Sequence, residues 1–399
     1  MVPPLPQELL DYILDHLHDD KHALKCCSTA CLSLLPTSSF HLFQEVALGR
    51  RLCAPTSEVL RRFARAVEKS PRLRTHTRGL SLSPPLRTRR SQGASLGIDL
   101  HVLRDTLEQL PSLRTIDLRY VQILPHGPVQ SLSHPSLRKV VLGTLHHPEP
   151  SRLRDILPLL FGVRLGTLVL FGQWAEDSDP VQYQTLSLIR VSCLSFQERN
   201  ADNSGSCLAA LRLSTDPGSL RELRIALESL ATAHHVNSLV RQGSPNLRAL
   251  HFDLTELRLS CIGGGTVPSI AAISECASLQ GISFKLTMCS RDAHHALMST
   301  MAWSFVLQVL SHAPPTIRKV VFSMEACPRF HSQCVPETRD ETHSLRLSRL
   351  QTLLGRLLGL VSVTLELVPL GFSHEPLIEE MRHALKWVKS AHSTKYEVS

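Results

Sequence analysis

Leu113-Arg114-Thr115-Ile116-Asp117-Leu118 and Leu137-Arg138-Lys139-Val140-Val141-Leu142 share one frame, Leu-x-x-Leu-x-Leu. Six more segments keep it, starting at Leu165, Leu220, Leu247, Leu279, Ile317 and Leu360, with Ile, Val or Phe replacing some leucines. The alternation at the end of the frame describes a short strand with one face buried. First positions lie 24, 28, 55, 27, 32, 38 and 43 residues apart. The 55 spans about two units, so one strand is concealed between Leu165 and Leu220. Leu186-Ser187-Leu188 and Leu208-Ala209-Ala210-Leu211-Arg212-Leu213 are both open candidates for it. A helix is expected before each turn, near 57–69, 100–110, 151–161, 228–242, 267–276, 300–312 and 344–358. Pro111, Pro135, Pro245, Pro314 and Pro315 punctuate the turns. Leucine makes up 70 of 399 residues while aromatics are only 5%, which favours repeated thin layers over one large aromatic core.

The array resembles leucine-rich repeats, spread over about 60–370. Later units are longer than the usual ~20–29 residues. The Asn that usually follows the strand is replaced by Val121 and Leu145. No single unit can bury its apolar face alone, so stacked neighbours share a core and the ends need caps. One cap is expected from residues 376–388, where Leu377, Met381, Leu385 and Val388 form a stripe.

The first fifty residues read differently. Pro6 suits a helix start and Glu8 its first turn. Leu9, Ile13 and Leu17 recur every fourth residue, with Leu10 and Leu14 widening the stripe. Asp19 and Asp20 offer an N-cap for a second helix through Leu24, Cys27 and Cys31, closed by Pro36. A short turn through Phe40-His41-Leu42-Phe43 and a strand-like Val46-Ala47-Leu48 follow. Three short helices bury too little surface to stand alone. Leu5-Pro6-x-Glu8-Leu9, Ile13, Leu17, Leu24, Cys27, Cys31 and Leu42-Phe43 resemble an F-box, of the variety expanded in mushroom-forming fungi. Where many members carry Cys-Arg-x-Trp, this chain has Cys31-Leu32-Ser33-Leu34.

These resemblances imply an α/β chain with an F-box-like domain at 1–50. An irregular solenoid of parallel strands follows at 55–370, its helices on the convex side, with a capping helix and tail at 371–399. They also imply a partner set: a Skp-family adaptor and its cullin scaffold, with a protein substrate on the repeats. Adaptor contact is expected at Leu5, Pro6, Glu8, Leu9, Ile13, Leu17 and Leu34. The chain would be a non-enzymatic substrate receptor of a ubiquitin ligase. A scaffold with a degenerate F-box cap and a basic nucleic-acid-binding protein are the competing readings.

In the repeat frame the third, fifth and seventh positions point away from the core. They make columns that hold Thr115, Asp117 and Arg119, Lys139 and Val141, Thr167, Val169 and Phe171. The columns continue through Glu222 and Arg224, His251 and Asp253, Ser283 and Lys285, Lys319 and Ser323, and Thr364 and Glu366. Substrate contact is expected at Thr115, Asp117, Arg119, Lys139, Phe171, Arg224, His251, Asp253 and Lys285.

The balance of 43 basic against 35 acidic side chains gives +8, mild for this length. No stripe of cations interleaved with aromatics marks a nucleic-acid groove, and Arg87-Thr88-Arg89-Arg90 reads as an exposed loop. No run approaches ~18 apolar residues, and Met1-Val2-Pro3-Pro4 lacks the positive start of a secretory signal. Eleven scattered cysteines and no Asn-x-Ser/Thr site point to a reducing compartment, cytoplasmic or nuclear. No cofactor is expected. Cys327, His331 and Cys334 are one ligand short of a zinc site. The pairs His146-His147, His234-His235 and His294-His295 diverge, and Gly263-Gly264-Gly265 lacks the Lys of a phosphate loop.

Overall fold

The computed structural model describes residues 5–48, 56–83, 97–124, 130–144, 151–175, 188–198, 204–227, 232–255, 257, 270–288, 293–326, 341–367 and 395–398. The chain is α/β and its strands run parallel. It divides into two compact units, Met1–Val169 and Leu170–Ser399.

The first unit opens with three helices, α1 (Gln7–His16), α2 (Lys21–Ala30) and α3 (Leu35–Gln44). Asp20 caps α2 as expected, its carboxylate accepting from the N–H groups of His22 and Ala23 at 3.0 and 2.9 Å. Pro36 does not close α2. It sits in the first turn of α3, where a missing N–H is harmless. The expected turn at 40–43 is the last part of that helix. Chain direction then reverses into a parallel strand order of β1 (Glu45–Leu48), β2 (Gly79–Leu82), β4 (Thr115–Arg119) and β6 (Lys139–Gly143). A side pair, β3 (Gly97–Asp99) and β5 (Gln122–Leu124), stands apart. Helices α4 (Thr56–Lys69), α5 (Pro71–His76), α6 (Leu100–Glu108) and α7 (Leu153–Ile156) connect the strands, α7 continuing as a 3-10 turn, Leu157–Leu160. The core takes Leu80, Ile116 and Val140 from the strands and Leu60, Val67 and Leu103 from the helices.

Strand β7 (Arg164–Gly172) carries the division between the units. In the second unit, β8 (Arg190–Glu198), β9 (Glu222–Ala226), β10 (Ala249–Asp253), β11 (Gly281–Met288), β12 (Lys319–Ala326), β13 (Ser362–Leu367) and β14 (Lys395–Val398) pair in chain order. Between them lie α8 (Ser204–Ser214), α9 (Ala233–Gly243), α10 (Ala293–Ser311) and α11 (Glu341–Arg356). Register keeps identical frame positions abreast, so Phe252, Phe284 and Phe322 face each other across three strands. Their rings stack at centroid distances of 5.9 and 5.8 Å, and Phe305 of α10 meets Phe252 edge-on at 5.3 Å.

The concealed strand is β8; Leu208–Leu213 lies inside α8, and Leu186 and Ser187 of the other candidate lie outside the described residues. Cys193 and Leu194 pair with Glu222 and Leu223, which aligns Val191-x-x-Leu194-x-Phe196 with Leu220-x-x-Leu223-x-Ile225. The frame was present with Val and Phe at its outer positions. The leucines of 208–213 serve a helix because Cys207, Leu208 and Leu211, three and four residues apart, bury together. The helix expected at 267–276 is a 3-10 turn, Ala271–Glu275. Its Ala272 N–H donates to the Asn237 side chain on α9 at 2.8 Å, so a neighbouring unit caps it. Strand β14 was not foreseen. The expected cap at 376–388 lies outside the described residues, as do Gly263–Gly265, His146-His147, Arg87–Arg90 and the Cys327, His331 and Cys334 set.

Candidate functional site

Helix α1 turns Leu14 fully inward and Leu10 partly, leaving Leu9, Tyr12 and Ile13 on its outer side. These three are 49, 62 and 51% exposed, and Leu5 just before the helix is 56% exposed. Leu32, in the turn between α2 and α3, is 84% exposed. Pro6 and Glu8 are exposed beside them, whereas Leu17 and Leu34 are half-buried among the three helices. The expected stripe is thus split between packing and surface, and Tyr12 and Leu32 join the surface part.

Polar contacts on the other side hold α1 in place. Asp11 accepts from Thr37 on α3 at 2.5 Å and from Gln7 at 2.8 Å, and these bonds draw its carboxyl below the ordinary range. Asp15 pairs with His41 at 2.7 Å, and Gln7 donates to the Ser33 carbonyl at 3.0 Å. The exposed apolar residues therefore sit on a fixed platform.

The second surface is the outward side of the strands. On β4, Arg119 clasps Asp117 through Nε at 2.8 and 3.0 Å, with Thr115 half-buried in line below. Lys139 is exposed on β6 and Phe171 half-buried on β7. Val141 and Thr364 were expected outward and exposed but are buried. Both are compact, β-branched side chains, which neighbouring strands about 4.8 Å away close over.

In the second unit, strand register assembles a network from residues far apart in sequence. Glu222 Oε1 receives Arg224 at 2.6 Å and His251 Nε2 at 3.1 Å, while His251 Nδ1 meets the Ser283 hydroxyl. One strand further along, Lys285 reaches Glu325 at 2.9 Å and Asp253 at 3.8 Å. Arg224, His251, Asp253 and Lys285, all expected here, are brought together. Glu222, a column member but no expected contact, is the hub that joins two of them. Cys193 also borders Glu222 and Arg224, and it was missed because its strand was missed.

Burial lowers the His251 pKa below its ordinary value; Glu222 opposes this, and Arg224 and Lys319 add to it. The folded protein therefore disfavours protonated His251. Its contribution to stability is complete above the unfolded-state range near ~6.5 and is lost as pH falls below that. Thermal unfolding temperature should fall between pH 7 and pH 5, and His251→Gln should reduce that fall. His76 and His235 are lowered as well, so the difference between the two proteins isolates His251. An equal fall in both would remove His251 from the account.

The thiols differ sharply. Burial pushes Cys193 up to about 11 and Cys276 up to about 12. Exposed Cys31 is lowered, because the Ser33 hydroxyl and the Leu34 backbone bond its sulfur. Iodoacetamide at neutral pH, followed by peptide mapping, should label Cys31 well before Cys193 and Cys276. All eleven cysteines should react after denaturation.

Among the described residues, no cluster of three or more His, Cys, Asp or Glu is placed to hold a metal ion, and no helix is long and apolar enough to cross a membrane. No protein-family model matches the chain, and no curated protein matches it.

Proposed function

We propose that this chain is the substrate-receptor subunit of a cullin–RING ubiquitin ligase. Its N-terminal helices dock a Skp-family adaptor, and the outward faces of its repeat strands take a protein substrate. The observation that carries the reading is the outer face of α1: Leu5, Leu9, Tyr12 and Ile13 lie exposed together, on the side away from buried Leu14. Large apolar side chains gathered at one place on a rigid element fit a partner surface better than water. The F-box-like Leu5-Pro6-x-Glu8-Leu9 opening falls in the same patch.

On this reading the chain contributes binding at both ends and leaves ubiquitin transfer to its partners. The charge pairs of β9 to β12 are half-exposed and mutually satisfied, so a substrate would meet them as a preorganised polar surface. The finer architecture, an F-box followed by a leucine-rich-repeat-like solenoid, belongs to this proposal. Its support is the chain-ordered parallel strands, each preceded by a helix or a 3-10 turn in most repeats. Affinity purification of the full chain, with mass spectrometry asking for the adaptor and cullin, tests it. Their absence from the purified set overturns the proposal.

A further inference from the structure

In the first unit the residue after the first leucine of the frame is basic on β4 and β6, and Arg78 holds the matching place before β2. Arg114 donates its N–H to the Arg78 carbonyl at 2.6 Å, and Arg138 donates to the Arg114 carbonyl at 2.8 Å. The three arginines therefore stand abreast on consecutive strands, about 4.8 Å apart at the backbone. Lys139 follows Arg138 directly, and Arg164 lies two residues before Gly166, whose N–H donates to the Arg138 carbonyl at 2.7 Å. Arg114, Arg138, Lys139 and Arg164 are exposed, and among the described residues no carboxylate is paired with any of them. Arg78 is anchored instead over the Phe40 ring, 4.9 Å from its centroid. The positive field at this edge is felt nearby: Arg72 and Arg78 help to lower the His76 pKa.

On the strand faces Arg119, Arg224 and Lys285 each have an acidic partner, whereas Arg221 and Arg248 repeat the frame position of Arg114 and Arg138, exposed, in the second unit. Cations stacked in register without a counter-charge repel one another, and an anion laid across them relieves that repulsion. The strip crosses the strands where the frames begin, and half-buried Thr115 and Thr167 border it with hydroxyls. An extended chain fits such a track. Its alternate side chains recur every ~6.8 Å, within reach of arginines spaced at strand intervals. Among the described residues the exposed large apolar side chains include one aromatic, Tyr12 on α1, so they offer the strip no platform on which nucleic-acid bases could stack.

We infer that Arg78, Arg114, Arg138, Lys139 and Arg164 form a binding track for an extended acidic peptide segment, rich in Asp and Glu, of a protein partner. This deepens the receptor reading by giving its substrate a chemistry, and it rests on that reading only for the word substrate.

The test uses the full chain and a fluorescein-labelled peptide of alternating Glu and Ser, read by fluorescence anisotropy. Arg114→Glu/Arg138→Glu should weaken binding by about tenfold or more, since two attractive contacts become repulsive. Arg61→Glu/Lys69→Glu on α4 carries the same change in net charge and should leave binding within about twofold. Affinity should fall as salt rises. Equal loss in both variants would reduce the effect to net charge and overturn the track. Tighter binding of a single-stranded oligonucleotide of equal charge would overturn the peptide assignment. Adaptor capture is measured on the same proteins. Adaptor bound without peptide defeats the track alone, and peptide bound without adaptor defeats the receptor reading alone.

Discussion

Changing Leu9 and Ile13 together to alanine is expected to abolish adaptor retention while leaving the fold intact. Each side chain is about half-exposed on α1, so its full burial comes only with a partner. Burying one Leu or Ile is worth roughly 1.5–3 kcal/mol, and about half of that remains to be gained from a half-exposed residue. The pair then supplies about 1.5–3 kcal/mol, or roughly 10- to 150-fold in affinity, enough to lose a micromolar complex in a pull-down. Exposed substitutions away from packing stay within about 0.5 kcal/mol of wild-type stability. The inward residue on the same helix provides the contrast. Leu14→Ala should lower the unfolding temperature, because Leu14 is 1% exposed. Adaptor capture that survives Leu9→Ala/Ile13→Ala, with circular dichroism unchanged, would remove the face of α1 from the proposed interface.

The largest loss of stability is expected from Phe284→Ala. Its ring stacks on Phe252 and Phe322 at once, 5.9 and 5.8 Å away, and it has no solvent exposure. Large-to-small change at such a site costs about 3–5 kcal/mol, from lost transfer energy and the cavity left behind. A repeat shares its core only with its neighbours, so the damage falls on the β10–β11 and β11–β12 junctions together. Phe284→Leu keeps most of the volume and should lose much less. Denaturant unfolding of the three proteins measures this; a Phe284→Ala midpoint equal to wild type would mean the ring column is not a structural spine.

Local pattern made much of this architecture legible. The Leu-x-x-Leu-x-Leu frame located β4, β6, β7, β9, β10, β11, β12 and β13, because alternation on a half-buried strand is written directly into residue type. Helices α4, α6 and α11 fell close to their expected bounds for the same reason. Strand β8 escaped because Val191 and Phe196 replace leucine, while an equally good leucine frame stood nearby at 208–213. Spacing of apolar residues describes two periods at once when leucines sit three, four and two apart. Only the neighbour across the sheet, pairing Leu194 with Leu223, chooses between them.

The residue types along the chain thus determined its class of architecture, its parallel repeat and the amphipathic character of α1, since each follows from local periodicity and the burial of apolar surface. Tertiary structure alone decided which half of the α1 stripe is spent on packing and which stays outside. That choice depends on what α3 presents, including Thr37 and His41, from 26 residues away. It also decided that Glu222, His251 and Ser283 would meet, and that Arg78, Arg114 and Arg138 would stand abreast. Those groupings join residues 24 to 36 positions apart through strand register, and register is a property of neighbouring strands rather than of any single stretch.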